Sequence, residues 1–401
     1  MQLEKCDFVY VKNGDVIADL ARIDSATPIE LLCGPDAFLQ EFLQVTYSQR
    51  VLLLSTTNRM ADTHQYSEMV LAKTFQVGAT WLAKLVSKPR LMIFVLRNLV
   101  RAQPRYLLCG ANFEPLWASF LYASIVGIPL VHSKHNRVTG GKSSLYRRIA
   151  VKLDSWVIRK SVGVICHGPY LREELLDVGV PSSQIYEFDV SLREYRDSAK
   201  KDAPDVELEI ENNSLIVYAG RIERLKGVFD LLDAIEPHLR QYGGLILAYA
   251  GQGSALDDLR AEVNRRKLMK QVRLMGRIAH RALALLMSRA SLVITPTQSR
   301  FAEGRCMAAM ESLVLGVPVI APRFGPFPYL VTDGVNGLLY EPDSVDDLRD
   351  KISRVLANKE FLRELRLGAK NTGERLLAPP MTFGQAVKLA FEISVVEKNT
   401  A

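Results

Sequence analysis

The regular alternation of short apolar runs with stretches of helical periodicity, clearest in the second half, most constrains what this chain can fold into. Leu215–Ala219 is a β-branched and apolar run that enters a turn at Gly220. Behind it, Val228, Leu231, Leu232, Ile235 and Leu239 recur at the spacing of one buried helix face. Leu245–Ala250 follows, then a turn with Gly251 and Gly253, and a polar helix from about Ala255. Val272–Met275, Leu292–Thr295 and Val317–Ala321 repeat the theme with helix-like segments between them. Strands that alternate with helices make βαβ units, hence a mostly parallel sheet covered on both faces.

The first half alternates less cleanly, with candidate strands at Glu30–Cys33, Val51–Ser55, Tyr106–Cys109, Leu130–Ser133, Val162–Cys166 and Ile185–Val190. The 401 residues suit two domains. Arg193–Asn213 is dense in Lys, Asp and Glu and reads as an exposed hinge. The expected division is 1–192, a linker 193–213, a second domain 214–380, and a helix within 381–401 that crosses back to the first. In doubly wound domains ligands bind at the carboxyl ends of the strands, so function is expected there.

Composition narrows the classes. The five cysteines form no C-x-x-C pair, which argues against a zinc cluster or a disulfide framework and fits a reducing compartment. The most apolar stretch, Leu116–Val131, is broken by Gly127 and Pro129, and no segment reads as a secretion signal. The expected location is the cytoplasm, including the cytoplasmic face of a membrane. Between Met69 and Lys152 there are thirteen Lys and Arg against one acid, Glu114. Such a zone is suited to phosphates, whether of nucleic acid, an anionic lipid surface or a charged acceptor. A helix between Pro89 and Pro104 sets Arg90, Arg97 and Arg101 in one stripe, with Leu91, Met92, Val95, Leu96, Leu99 and Val100 on the remaining face. That stripe is either a solvated face of a packed helix or a contact with an acceptor or anionic membrane. The zone lacks the aromatic interleaving of nucleic-acid stacking platforms, so no nucleic acid is expected.

Chemistry concentrates in FAEGRCMAAMESLVLGVPVIAP, from Phe301. Glu303 and Glu311 are separated by seven intervening residues, with Gly304 directly after the first. With a helix from near Arg305, they lie about 12 Å apart along its axis and about 80° apart around it. That span suits a ligand with hydroxyl groups at both ends and a phosphate bridge between. In AGRIERLKG, Arg221, Arg224 and Lys226 crowd a helix N-terminus, where the macrodipole disfavours cations by up to about 1 kcal/mol each. An anion between Arg221 and Lys226 removes the conflict.

The pattern G-R-x4-K-G, followed about 80 residues later by E-G-x6-E and G-x-P-V-I, resembles the family 4 retaining glycosyltransferases. The resemblance is strong over 213–352 and continues back to about Arg105. It implies an α/β chain of the GT-B fold, two Rossmann-like doubly wound domains facing each other across a cleft. It also implies a hexosyltransferase-type activity that retains the anomeric configuration. The donor implied is a nucleotide-diphosphate sugar, the acceptor a glycan or lipid-linked sugar, and neither metal nor cofactor is required. The absence of a D-x-D motif agrees.

Carried over by position, Arg221 and Lys226 hold the diphosphate, Glu311 the ribose hydroxyls and Glu303 hydroxyls of the donor sugar. Gly220, Gly251, Gly304 and Arg305 line the donor side. GIPLVHSKHN resembles the family strand ending in a histidine, which makes His135 a contact of the sugar or leaving diphosphate. Asn136 stands where an Asp is frequent, on the acceptor side. On this reading no residue is a protein nucleophile, and Glu303 is a binder rather than a base.

The sequence departs from the family at several places. Arg305 and Cys306 replace an aromatic and a small residue, Gly325–Tyr329 lacks the acid of a G-G-x-x-E type loop, and Cys33–Gly34–Pro35–Asp36 is the best candidate for the first Gly-rich loop. Gly141–Lys142–Ser143 does not complete a P-loop, because Asn136 stands at its first Gly. Rival readings are a nucleotide-sugar epimerase, a phosphorylase, a nucleic-acid- or membrane-binding protein, and a silent scaffold.

Overall fold

The structure, a computed structural model, describes residues 5–24, 35–57, 60–77, 81–136, 145–199 and 214–398. The chain divides into two compact units: Met1–Val190 with Pro380–Ala401, and Ser191–Pro379.

The first unit contains, in chain order, β1 (Phe8–Val11), α1 (Val16–Asp24), α2 (Pro35–Val45), β2 (Val51–Thr57), β3 (Thr63–Gln65), β4 (Val70–Gln76), α3 (Trp81–Ala102), β5 (Tyr106–Cys109), α4 (Glu114–Val126), β6 (Leu130–Lys134), α5 (Leu145–Lys160), β7 (Gly163–His167), α6 (Pro169–Asp177) and β8 (Ile185–Phe188). The second opens on α7 (Arg193–Ser198). It continues with β9 (Ser214–Ala219), α8 (Val228–Gln241), β10 (Leu245–Ala250), α9 (Leu256–Arg265), β11 (Val272–Gly276), α10 (His280–Ser288), β12 (Leu292–Ile294), α11 (Met307–Val314), β13 (Val319–Pro322), β14 (Gly337–Tyr340), α12 (Val345–Ala357) and α13 (Lys359–Leu376). The last helix, α14 (Phe383–Lys398), belongs to the first unit.

The second unit's sheet has the order β11-β10-β9-β12-β13-β14, and every pairing in it is parallel. Alternate residues of β9 and β10 serve separate cores. Ile216, Tyr218, Leu247 and Tyr249 face one layer of helices, while Leu215, Val217, Ile246 and Ala248 face the other. Burial on both faces is why these strands read as unbroken apolar runs. Strand order reverses between β9 and β12, and a doubly wound sheet opens a crevice at such a switch point.

The first unit's sheet runs β3-β4-β2-β1-β5-β6-β7-β8, parallel except for the short edge strand β3. Its reversal lies between β1 and β5. Val95 and Leu99 of α3 and Leu116 of α4 cover one face. On the other, Phe391 of α14 meets Phe8 and Tyr106 edge-on at centroid distances of 5.2 Å each, and Gly384 N–H donates to Glu41 at 2.8 Å.

Several expectations change. The first strand is Phe8–Val11, so the loop after it is Lys12–Asp15 with Gly14 at φ 87°. Cys33 and Gly34 lie outside the described residues, and Pro35 and Asp36 begin α2. The helix expected from Pro89 starts at Trp81 and runs through the proline. Only one intrahelical donor is lost there, and the buried Val95 and Leu99 hold the helix beyond it. Val100 is 60% exposed rather than part of the apolar face. The segment 193–198, read as hinge, is helical because Leu192 and Tyr195 are buried in the second unit's core. Residues 200–213 lie outside the described residues.

Candidate functional site

In the second unit the site grows from the carboxyl ends of β9 and β12. β9 ends at Ala219, and after Gly220 the chain turns back on itself, the Tyr218 hydroxyl donating to the Arg221 carbonyl at 2.6 Å. The loop after β10 lies directly on this turn: Ile222 N–H donates to the Gln252 carbonyl at 2.9 Å. A Cβ on Gly251 would stand 1.7 Å from the Gly220 carbonyl oxygen, so only glycine permits the approach. A single 3-10 turn, Arg224–Lys226, then leads through Gly227 into α8. The helix therefore begins at Val228, two residues after the lysine.

The segment after β12 docks on the same turn. Gln298 N–H donates to the Leu225 carbonyl at 3.0 Å, and a Cβ on Gly227 would collide with the Pro296 carbonyl at 1.7 Å. This brings Phe301 under both cations, with Arg221 5.4 Å and the Lys226 ammonium 4.2 Å from its ring centroid. A tight turn, Glu303 N–H to the Phe301 carbonyl at 3.0 Å, then places the Glu303 carboxylate against the Lys226 ammonium as an ion pair. Both partners are largely enclosed, whereas Arg221, held by Glu223 at 2.8 Å, keeps 60% of its side chain exposed. The result is one buried pair flanked by one accessible guanidinium.

Glu303 is not on the helix. Residues 303–306 are non-helical, α11 starts at Met307, and Cys306 is its N-cap residue without a side-chain cap bond. The helical spacing estimated from sequence therefore does not describe the two acids. Glu303 meets Lys226, while Glu311 turns inward at 4% exposure and meets His280 Nε2 at 3.2 Å. His280 opens α10 and packs against Tyr195, with centroids 4.5 Å apart. Sequence reasoning missed this histidine, because nothing in RIAHRALALL marks it apart from a polar helix start. Gly304 and Arg305 are buried beside these acids. Burial, then the Glu303 charge, pushes the Cys306 thiol up to about 12, so it stays protonated and is no nucleophile.

In the first unit His135 follows β6. Its Nε2 lies 2.8 Å from Ser133 Oγ, and its ring stacks on Phe38 at 5.0 Å and meets Phe188 and Phe383 at 5.8 and 5.6 Å. Burial, reinforced by His167, His132 and Lys12, pushes it down to about 3, so the ring is neutral at physiological pH. A neutral imidazole can donate and accept a hydrogen bond without carrying charge. His167 is fastened to Asp189 at 3.1 Å, and His132 is buried. Lys12, at the end of β1, is buried in an ion pair with Asp19. Asn136 is exposed, and the rest of the 136–144 loop lies outside the described residues. Arg90, Arg97 and Arg101 are all exposed on α3.

Among the described residues no helix is long and apolar enough to cross a membrane.

The pattern of the family described as glycosyl transferases group 1 matches residues 199–372, and that described as glycosyltransferase family 4 matches residues 50–186. An alpha-D-kanosaminyltransferase of Streptomyces kanamyceticus is 24% identical over 68% of this chain and 74% of its own. A glycogen synthase of Mycobacterium tuberculosis is 23% identical over 58% of this chain and 56% of its own. Among solved structures, Anabaena HepE in complex with UDP aligns at TM-score 0.66 and 15% identity, over 98% of this chain and 100% of that one. A sucrose-phosphate synthase of Thermosynechococcus elongatus aligns at TM-score 0.64 and 16% identity, over 98% and 99%.

Proposed function

We propose, for a chain that belongs to the group 1, family 4 glycosyltransferases and has their GT-B fold, a specific use of the second unit's switch point. It binds the diphosphate of a nucleotide-sugar donor. The observation that carries this reading is the convergence of Arg221 and Lys226 on Phe301, beside Glu303, at the carboxyl end of β9. Arg221 offers a planar fork and Lys226 a point charge, and the N-terminus of α11 adds free N–H groups. Glu311, positioned by His280, accepts from the ribose hydroxyls, and Glu303 accepts from hydroxyls of the sugar. Kinship to a UDP-bound structure supports a nucleoside diphosphate as the leaving group.

Transfer then retains the anomeric configuration and needs no metal. The acceptor oxygen forms its bond to the anomeric carbon on the face from which the diphosphate departs. The carbon–oxygen bond to the diphosphate breaks, and a diphosphate oxygen takes the acceptor's proton. Both acids of the site are engaged, Glu303 with Lys226 and Glu311 with His280, which supports their role as binders rather than nucleophiles. Charge developing on the diphosphate is met by Arg221 and Lys226, the fixed-dipole stabilisation that usually contributes most. Neutral His135 suits a hydrogen bond to a sugar hydroxyl or phosphate oxygen. The acceptor is a glycan or lipid-linked sugar, made at the cytoplasmic face of a membrane; exposed Ile93 and Val100 beside Arg90, Arg97 and Arg101 support that side of the reading.

Calorimetric titration with UDP, GDP, ADP and dTDP, with and without chelator, tests the donor site. Selective, chelator-insensitive binding of one nucleotide is expected, and a folded sample that binds none refutes these four donors. Proton NMR of the first product then reads the anomeric configuration, and an inverted product refutes the retaining step.

A further inference from the structure

At the β3 edge of the first unit's sheet, β3, β4 and the end of α3 line a solvent-open cavity of about 530 Å³. Its walls carry Lys73 of β4 and Arg97 and Arg101 of α3, with Asp62, Thr74 and Asn98 beside them. Among the described residues none of the three cations has a carboxylate partner. The one acid of the wall bridges none of them: the Asp62 carboxylate accepts from Thr63 N–H at 2.7 Å, and its own N–H donates to Thr74 Oγ1 at 2.9 Å. Asn98 is likewise committed, its amide donating to the Phe94 carbonyl at 2.8 Å.

Like charges gathered without a counter-charge oppose one another, and Lys73 shows it. Its ammonium is held below the ordinary lysine range by burial first and then by Arg101 and Arg97. The C-terminal dipole of α3 accounts for Arg101 in the last turn, but for neither Arg97 nor Lys73. An anion seated among the three removes the opposition.

We propose that this cavity is a phosphate-binding site, with the two guanidinium forks and the Lys73 ammonium taking the anionic oxygens. The same helix exposes Ile93 and Val100, at 63% and 60%, so an apolar rim lies on α3 near the polar cavity. That pairing suits a phosphate carried on an apolar body, and either a lipid headgroup or a free phosphomonoester supplies the chemistry. This deepens the membrane-facing reading of Arg97 and Arg101 given above and rests on none of the donor-site assignments.

The full chain is titrated calorimetrically with glycerol 3-phosphate under saturating amounts of whichever of UDP, GDP, ADP and dTDP the wild type binds, which keeps the donor side occupied. In parallel it is sedimented with vesicles of phosphatidylcholine alone or with phosphatidylglycerol. Arg97→Gln and the pair Lys73→Gln/Arg101→Gln are compared with a charge-matched control elsewhere, Arg363→Gln. All these positions reach solvent, and thermal melts confirm folding. Stoichiometric glycerol phosphate binding, weakened tenfold or more in the cavity variants, identifies a free-phosphate site. Retention on the phosphatidylglycerol vesicles alone, lost in the same variants, identifies a headgroup site. Absence of both in the wild type, or equal weakening by Arg363→Gln, overturns the proposal.

Discussion

Lys226→Met separates the two roles of the lysine, because the same ammonium neutralises a buried carboxylate and faces the proposed diphosphate. The Lys226 and Glu303 side chains are 15% and 10% exposed, so removing one partner leaves a nearly enclosed charge. Breaking such a pair from one side costs about 3–5 kcal/mol, and partial exposure favours the lower end. For a unit of this size about 3 kcal/mol lowers the melting temperature by roughly 6–12 °C. A lost contact to a charged group weakens ligand binding by about 1.5–3 kcal/mol, or roughly 10- to 150-fold in Kd. The double variant Lys226→Met/Glu303→Gln removes both charges. It regains most of the stability, but not the affinity. Urea melts and calorimetry with whichever nucleotide the wild type binds measure the two quantities on the same samples. Wild-type nucleotide affinity in Lys226→Met, or its full recovery in the double variant, refutes the assignment of Lys226 to the diphosphate.

Glu311→Gln weakens nucleotide binding about tenfold or more, and His280→Ala weakens it less, since the histidine acts by orienting the acid; calorimetry ranks them. Gly251→Ala forces a methyl against the Gly220 carbonyl, so the β9 turn shifts, stability falls by more than about 2 kcal/mol in urea melts, and nucleotide affinity falls with it. Acid weakens the first unit. His132 and His135, both pushed down to about 3, refuse protons that the unfolded chain binds below about pH 6.5, so each removes roughly 1.4 kcal/mol of stability per pH unit from there down. Asp154, raised to about 6 by burial, acts oppositely below pH 6, leaving a net loss of roughly 1.4 kcal/mol per unit down to about pH 4; urea melts across that range read the slope.

The second unit's fold was legible because its strands are buried on both faces and leave long apolar runs between glycine turns. Every one of its strands except β14 was marked in this way. In the first unit β1 escaped notice: FVYV is four residues long and preceded by polar sequence, a signal too short to separate from a helix fragment. β4, seven residues long and next to the edge strand, was hidden because Lys73 interrupts its apolar run. At the site, the sequence offered residue types and spacing but not their partners. Glu303 and Glu311 suggested one helical surface, and a loop closed by a three-residue turn separated them instead. His280 comes from another βα unit, and only the tertiary fold brings it to Glu311.

The placement of α14 has a consequence for synthesis. The first unit is discontinuous in sequence, closed by a helix that leaves the ribosome almost two hundred residues after the rest of its sheet. The second unit emerges before that helix and is free to fold ahead of it. Until Phe391 arrives, Phe8 and Tyr106 lack their aromatic cover and present a sticky surface on the nascent chain. Nascent chains held on the ribosome by a linker that spans the exit tunnel, with residues 1–380 emerged, should therefore carry a protease-resistant second unit and a chaperone-dependent first one, the reverse of their order of emergence.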